Sequence, residues 1–382
     1  MNKEYNIIIA GAGGIAQAVG LILAQRSHVC PNIHIGNRTI LNAQKAADWI
    51  NAGTTSKSNV DFFLLSDSKL TDEMKFIFSS ADIILDCLPG SQAPRIAQFA
   101  KDFNCHYANL TEHVKETNQI IELVKDAKTG FVLQSGLAPG YIDILGNYLF
   151  DVFCKKYGVN RVDRLELKVG ALTEHATPPH YYGFTWSPVG VATEYLEDTV
   201  VIRNHKKTYL PALSERSQII IDGILYEQDL TSGGAADLPN SLAGKVAQLD
   251  YKTLRFPGHY AWVDKQINRE SANPEKLKIL QEKMEQNIPQ IETDQVILYA
   301  AVEGKDNNGK LRRIEYANRV LQQYVGKHKL RAIQTTTAAP LVQVAQMLLE
   351  SDSTGIILQS EIDPKPFLEG SFVNQVYGFV SF

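Results

Sequence analysis

Gly11, Gly13 and Ala16 are spaced as G-x-G-x-x-A, between the apolar run Ile7-Ile8-Ile9-Ala10 and a segment carrying Val19, Leu21, Ile22 and Leu23. A strand, then glycines, then a helix is the order of a dinucleotide-binding turn. The first glycine permits a tight turn, and the second lets backbone N–H groups approach a pyrophosphate. The third small residue lets the helix lie close on the sheet, its positive end toward the phosphates. Gly14 and Ile15 complete this set of cofactor contacts. A glycine turn without a ligand is the alternative. Asn37, Arg38 and Thr39 stand where an NAD-preferring site usually ends its second strand in Asp or Glu. A cation without a competing carboxylate suits the 2′-phosphate of NADP, so NADP is the expected cofactor and NAD the second choice. The competing description of Arg38 is a solvated surface arginine. Asp67 is either a turn residue or an adenine contact. Cys87-Leu88-Pro89 ends another apolar strand and is expected along the same crevice as Gly11. Gly136-Leu137-Ala138 leaves the sheet where a nicotinamide ring is expected, so its backbone is a candidate contact. A Pro-containing helix start, through Pro139, is compatible with that role.

Hydride transfer to or from a nicotinamide needs alignment more than an unusual side chain. Arg255 could clamp a substrate carboxylate by two parallel hydrogen bonds, or be a structural arginine paired in the core. His259 could exchange a proton with a substrate, since imidazole titrates near neutral pH, or cap a helix start after Pro257-Gly258. Lys252 is read as a further site cation or a solvent-facing strand residue, and Trp186 as a pocket wall or a core residue. His175, His180 and Tyr181 share a loop with Pro178 and Pro179 that could line or cover a site. No His, Cys or carboxylate spacing suggests a metal, and no G-x-S-x-G nucleophile motif occurs.

These residues need a scaffold. Strands are expected at Ile7–Ala10, Asn32–Arg38, Val60–Leu65, Ala81–Cys87, Cys105–Leu110 and Gly130–Gln134, with helices between them. That alternation implies a doubly wound parallel sheet, the Rossmann arrangement. From about Arg161 the pattern becomes alternating, as in Leu165–Gly170, Val200–Arg203, Ser217–Ile221 and Val246–Phe256. A hairpin is expected from Val296–Val302 to Leu311–Tyr316. Alternation implies a mostly antiparallel sheet with one wet face, and so an α+β substrate domain. The cations from Lys305 to Arg331 read as a solvated face. Thr335-Thr336-Thr337-Ala338-Ala339-Pro340 reads as the start of a last helix that returns to the first domain. The expected organisation is therefore an α/β fold: residues 1–140 and 332–382 bind the dinucleotide, and 141–331 form the second domain.

The chain has 382 residues, enough for about two cores. With 44% hydrophobic and 21% charged residues it has a globular composition. A net charge of −4 gives no reason to expect nucleic acid or an anionic membrane as partner. No apolar run approaches the ~20 residues of a span, and no signal-peptide h-region opens the chain. Cys30, Cys87, Cys105 and Cys154 are scattered, as reduced thiols of a cytoplasmic protein would be.

Two stretches go beyond generic fold features: Val169-Gly170-Ala171-Leu172, continuing through Tyr182-Gly183-Phe184-Thr185-Trp186-Ser187-Pro188 to Glu194-Tyr195, and Tyr251-Lys252-Thr253-Leu254-Arg255-Phe256-Pro257-Gly258-His259. With Gly136-Leu137-Ala138-Pro139-Gly140 they resemble the saccharopine dehydrogenase family, from Ile7 to about Leu349. The resemblance implies a nucleotide-binding domain joined to an α+β dimerisation domain, and so a homodimer. It also implies NAD(P)-linked hydride transfer at a C–N bond of an amino-acid-derived secondary amine or imine. A lysine 6-dehydrogenase-like oxidative deaminase and a non-catalytic NADP-binding redox sensor are the alternatives. Fungal saccharopine reductases carry Leu-Asp-Pro-Gly where this chain has Leu137-Ala138-Pro139-Gly140. They read Cys-Gly-Gly-Leu-Pro-Ala where it has Val169-Gly170-Ala171-Leu172-Thr173-Glu174. The Val169 region is more similar to the lysine 6-dehydrogenase branch.

Overall fold

The computed structural model describes residues 4–26, 31–112, 114–269 and 275–382; Cys30 lies outside them. The elements begin β1 (Asn6–Ala10), α1 (Gly14–Arg26), β2 (Asn32–Asn37), α2 (Ile40–Gly53), β3 (Asn59–Leu64), α3 (Asp72–Ser80) and β4 (Ile83–Asp86). Next come α4 (Ala93–Asp102), β5 (His106–Asn109), α5 (Val114–Leu123), β6 (Gly130–Val132), α6 (Tyr141–Tyr157) and β7 (Val162–Thr173). They continue with α7 (Pro188–Glu194), β8 (Thr199–Arg203), β9 (Lys206–Leu210), β10 (Ser217–Ile221), β11 (Ile224–Leu230), α8 (Leu238–Ser241) and β12 (Val246–Arg255). Then follow α9 (His259–Arg269), α10 (Lys276–Asn287), β13 (Asp294–Lys305), β14 (Leu311–Leu321), β15 (Gln323–Val325) and β16 (His328–Leu330). The last are α11 (Ala332–Leu349), β17 (Gly355–Ile357), α12 (Pro364–Leu368) and α13 (Ser371–Tyr377).

Two compact units result. The first is Met1–Tyr141, Gln323–Leu330 and Gln334–Val380; the second is Ile142–Gln322, Arg331–Ile333 and Ser381–Phe382. In the first, seven parallel strands run in the order β17-β6-β5-β4-β1-β2-β3. The order reverses between β1 and β4, which is where open α/β sheets bind ligands. Ile7, Ile8 and Ile9 are buried on both faces of β1, so the strand needs no alternation. The hairpin β15–β16 belongs to this unit, not to the second as the sequence suggests. Lys327 N–H donates to the Gly53 carbonyl (2.8 Å), and the His328 ring stacks on Trp49 at 4.1 Å.

In the second unit the main sheet order is β10-β11-β12-β7-β13-β14. Its pairs are antiparallel except β12–β7, which is parallel. The expected wet face is absent from the central strands: β7 is buried from Leu165 to Thr173 and β13 from Asp294 to Val302. Helix α6 covers one face, where a Cβ at Gly146 would meet Leu167. On the other face long side chains close over each other. Lys168 pairs with Glu166 (2.8 Å), and Tyr226, Tyr299, Leu172 and Leu254 share an apolar cluster. Arg313 is part of that closure rather than of a solvated face, since it pairs with Glu166, Glu303 and Glu315.

Helix α11 begins at Ala332, before the Thr335–Pro340 run expected to open it, and Pro340 lies inside it. The start is set by a distant residue. Asp294 on β13 accepts the N–H groups of Ala332 (2.7 Å) and Ile333 (2.9 Å), satisfying two orphan donors of the first turn. Pro340 has no N–H for the carbonyl four residues back, and the Tyr377 hydroxyl donates to that Thr336 carbonyl instead. Asp294→Ala should cost about 2–3 kcal/mol in urea unfolding, because two donors lose a buried acceptor. Asp294→Asn, which keeps one acceptor oxygen, should lose less; an unchanged midpoint in the alanine variant would show that this cap contributes nothing.

Candidate functional site

The turn after β1 has the properties a phosphate cradle requires. Gly11 sits at φ +123°, and a Cβ there would lie 3.1 Å from the Cys87 carbonyl oxygen. Its N–H bonds the Gly36 carbonyl and Cys87 N–H bonds the Ala10 carbonyl, both at 2.8 Å. The turn is thereby fixed to β2 on one side and to the end of β4 on the other. A Cβ at Gly13 would meet nothing within 4 Å, so the space beside the start of α1 is open. Gly14 and Ile15 begin the helix, and Ala16 is buried beneath it. First-turn N–H groups and the helix dipole together favour an anion there.

Next to this turn lies a cavity of about 350 Å³, lined among others by Asn37, Arg38, Asp67, Leu88, Pro89 and Arg95. Five of these six were expected from the strand ends; Arg95, on α4, was not. Arg38 and Thr39 are exposed, and Thr39 N–H bonds the Asn37 side chain at 3.0 Å. Cys87 contributes backbone to the turn, and burial pushes its thiol up. Behind the cavity the Asp86 carboxylate accepts Leu88 N–H (3.0 Å) and the Tyr107 hydroxyl (2.8 Å), and burial raises it to about 6. The loop at Gly136 is closed by its own bonds. Gly136 N–H donates to Pro139 and Tyr141 N–H to Gly136, while Leu137 is buried and Ala138 half-buried. The backbone donor of Gly136 is therefore taken within the protein.

In the second unit, β12 divides the expected residues between two faces. Side chains alternate along a strand, so Lys252 and Arg255 point to opposite sides. Lys252 is 4% exposed, neither solvated nor near Arg255, and it donates to the Glu215 carbonyl at 2.7 Å. Arg255, 1% exposed, stacks over the rings of Tyr182 (4.8 Å) and Tyr195 (5.6 Å). Its Nε–H donates to the Tyr195 hydroxyl at 2.7 Å and one terminal nitrogen to the Leu254 carbonyl at 2.9 Å. His259 Nδ1 lies 2.7 Å from the His180 carbonyl, and Nε2 lies 2.9 Å from the same Tyr195 hydroxyl. These partners fix every proton. A carbonyl only accepts, so Nδ1 carries the hydrogen; guanidinium only donates, so Tyr195 accepts from it and donates to Nε2. Trp186 packs in the aromatic cluster of Tyr182, Tyr195 and Tyr260, and His175 stays exposed at the loop. Tyr195 was missed as a site residue because only the fold brings it, 60 positions away, to Arg255.

Burial, then the neighbouring Arg255 charge, lowers His259 to about 3 from its ordinary 6.5. The unfolded chain therefore takes up this proton first as pH falls. Stability from the neutral imidazole is complete above about pH 6.5 and is lost on the way down to about 3. Between pH 7 and pH 4 the urea midpoint of the native chain should fall more steeply than that of His259→Asn, by at most ~1.4 kcal/mol per pH unit. Parallel slopes would show that the imidazole is not held neutral.

Among the described residues no group of three or more His, Cys, Asp or Glu could hold a metal, and no helix is long and apolar enough to cross a membrane. The fold is similar to that of saccharopine dehydrogenase (L-Glu forming) from Saccharomyces cerevisiae, with a TM-score of 0.74 and 14% identity over 98% of both chains. It is also similar to homospermidine synthase from Legionella pneumophila, solved in complex with NAD, with a TM-score of 0.69 and 12% identity over 99% of this chain and 90% of that one. The mitochondrial alpha-aminoadipic semialdehyde synthase of Rattus norvegicus is 21% identical over 208 residues, 54% of this chain and 21% of that protein. Matches of this kind span only 21 to 30% of the length of the curated relatives. The family model of the saccharopine dehydrogenase NADP binding domain matches residues 7–133, and that of the saccharopine dehydrogenase C-terminal domain matches 136–370. Matched over both of its parts, the chain belongs to the saccharopine dehydrogenase family.

Proposed function

We propose that this chain is an NAD(P)-dependent oxidoreductase acting at the C–N bond of an amino-acid-derived secondary amine or imine, with NADP preferred. One observation carries the reading: the turn at Gly11 and Gly13 opens on free space at the β1–β4 switch point, within a chain of this family. The residues present fit a dinucleotide. The turn at Gly13 and the start of α1 would hold the pyrophosphate, and the cavity at Asn37, Arg38 and Asp67 the adenosine end. When bound, the nicotinamide supplies or accepts the hydride. Arg38 is exposed beside Asn37 and adds the positive charge that a 2′-phosphate needs.

In the second unit Arg255 takes a positioning role in this proposal. Two tyrosine rings and the Leu254 carbonyl enclose its guanidinium, so a carboxylate cannot reach it as an open clamp. Its Nε–H instead fixes the Tyr195 hydroxyl, which fixes the neutral His259 ring. The enclosed charge still favours anions at this end of the sheet, because burial weakens its screening.

The test is turnover. NADPH absorbance should fall when an amino acid and an oxo acid are supplied together from a panel, and not with either alone; cofactor binding without turnover of any amine or imine would overturn the enzyme assignment. Gly13→Val should weaken NADPH binding at least about a hundredfold with its unfolding midpoint unchanged, since the new side chain fills space the protein leaves empty. Arg38→Asp should weaken NADPH binding by about ten- to a hundredfold and NADH binding much less. Equal losses would remove the 2′-phosphate role of Arg38.

A further inference from the structure

Resting on the cofactor reading above, we propose that Arg95 is a specificity-determining residue: it neutralises Asp67 and so lets the cavity accept a nucleotide phosphorylated at the 2′ position. The cavity of about 350 Å³ is lined by one carboxylate, Asp67, and two guanidiniums, Arg38 and Arg95. A carboxylate beside a phosphate dianion is repulsive, and like charges brought together across a binding surface oppose association. Arg95 is placed to cancel it. One terminal nitrogen donates to the Ser66 carbonyl at 2.7 Å, and the other lies 3.5 Å from Asp67 Oδ1. The guanidinium also lies over Phe99, 5.6 Å from the ring centre, which restricts its rotation.

The arrangement favours the two terminal nitrogens at the expense of the third donor. The Nε–H is enclosed and has no acceptor, so the contacts to the β3–α3 loop set the guanidinium's orientation. The side chain of Arg95 is 26% exposed and that of Asp67 is 56% exposed. The pair therefore contributes little to folding, yet it decides the charge of the lining. With Arg95 in place Asp67 is balanced, and Arg38 leaves the lining net positive. Without Arg95, Asp67 would offset Arg38 and the lining would be neutral. Arg38 supplies the direct contact, and Arg95 acts through Asp67 as a positioning residue.

The experiment uses the full chain and two probes that differ only in the 2′-phosphate, 2′,5′-ADP and 5′-AMP, with binding followed by titration calorimetry. The native chain should bind 2′,5′-ADP more tightly. Arg95→Gln should weaken 2′,5′-ADP about tenfold and leave 5′-AMP within about twofold. Adding Asp67→Asn to Arg95→Gln should restore most of the lost affinity, because the charge to be neutralised is gone. Equal weakening of both probes would overturn the proposal in favour of a loop-holding role, and absence of rescue in the double variant would overturn the route through Asp67. A native chain that binds both probes equally defeats this inference and leaves the dinucleotide reading standing. One that binds neither probe, nor NADH or NADPH, defeats both.

Discussion

The contact that the first unit depends on is the approach of the Cys87 carbonyl to Gly11. Parallel strands β1 and β4 are neighbours, and each must leave the sheet at its carboxyl end on diverging paths. With 3.1 Å between the Cys87 oxygen and the place of an absent Cβ, only glycine lets the two exits lie so close. That closeness brings the start of α1 and the Leu88-Pro89 segment together at the carboxyl edge of the sheet. The exposed helix N–H groups, the crevice floor and the cavity beside Arg38 and Asp67 are consequences of a single steric allowance. Asp86, one residue before Cys87, supports it from behind by holding Leu88 N–H.

The second unit is governed by a different constraint, a cation sealed from water. Taking a guanidinium out of water is expensive unless its donors are satisfied and its charge is met by polarisable surfaces. Arg255 is met by Tyr182, Tyr195 and the Leu254 carbonyl. Burial and, after it, the field of this cation keep His259 neutral well below its ordinary range. A neutral imidazole with one assigned proton is a rigid hydrogen-bonding element rather than a titrating one.

What could be read from the sequence was what local spacing determines. The glycine turn, the strand–helix alternation to Val132 and the β13–β14 hairpin depend on neighbours within about a dozen residues, and the fold class follows from them. Arg38 and Asp67 were visible as candidates because strand ends mark the crevice of a doubly wound sheet. Arg95 was not, because which residues of α4 face the cavity depends on how the helix seats on the sheet. The start of α11 was misplaced for the same kind of reason, since its cap comes from Asp294, on a strand 38 residues earlier. Alternation in β7 and β12 gave the strands but misjudged their exposure. Lys168 and Lys252 look solvent-facing by type and are buried by pairing with Glu166 and Glu215.

The two departures from the fungal saccharopine reductases lie in different surroundings. Where those enzymes resemble this chain but carry aspartate, Ala138 is half-buried in a loop closed by its own hydrogen bonds. Where they carry cysteine, Val169 lies on β7 opposite Thr253 of β12 and is buried. Side chains alternate along β12, so Val169 shares its sheet face with Thr253 and Arg255. Neither position can hold or release a proton. On that side the Tyr195 hydroxyl and the His259 imidazole are joined at 2.9 Å, with their donor order set by Arg255. With its Nδ1–H held by the His180 carbonyl, the imidazole could take a further proton only by becoming a buried cation beside Arg255, so the pair holds a fixed donor order rather than a titrating one.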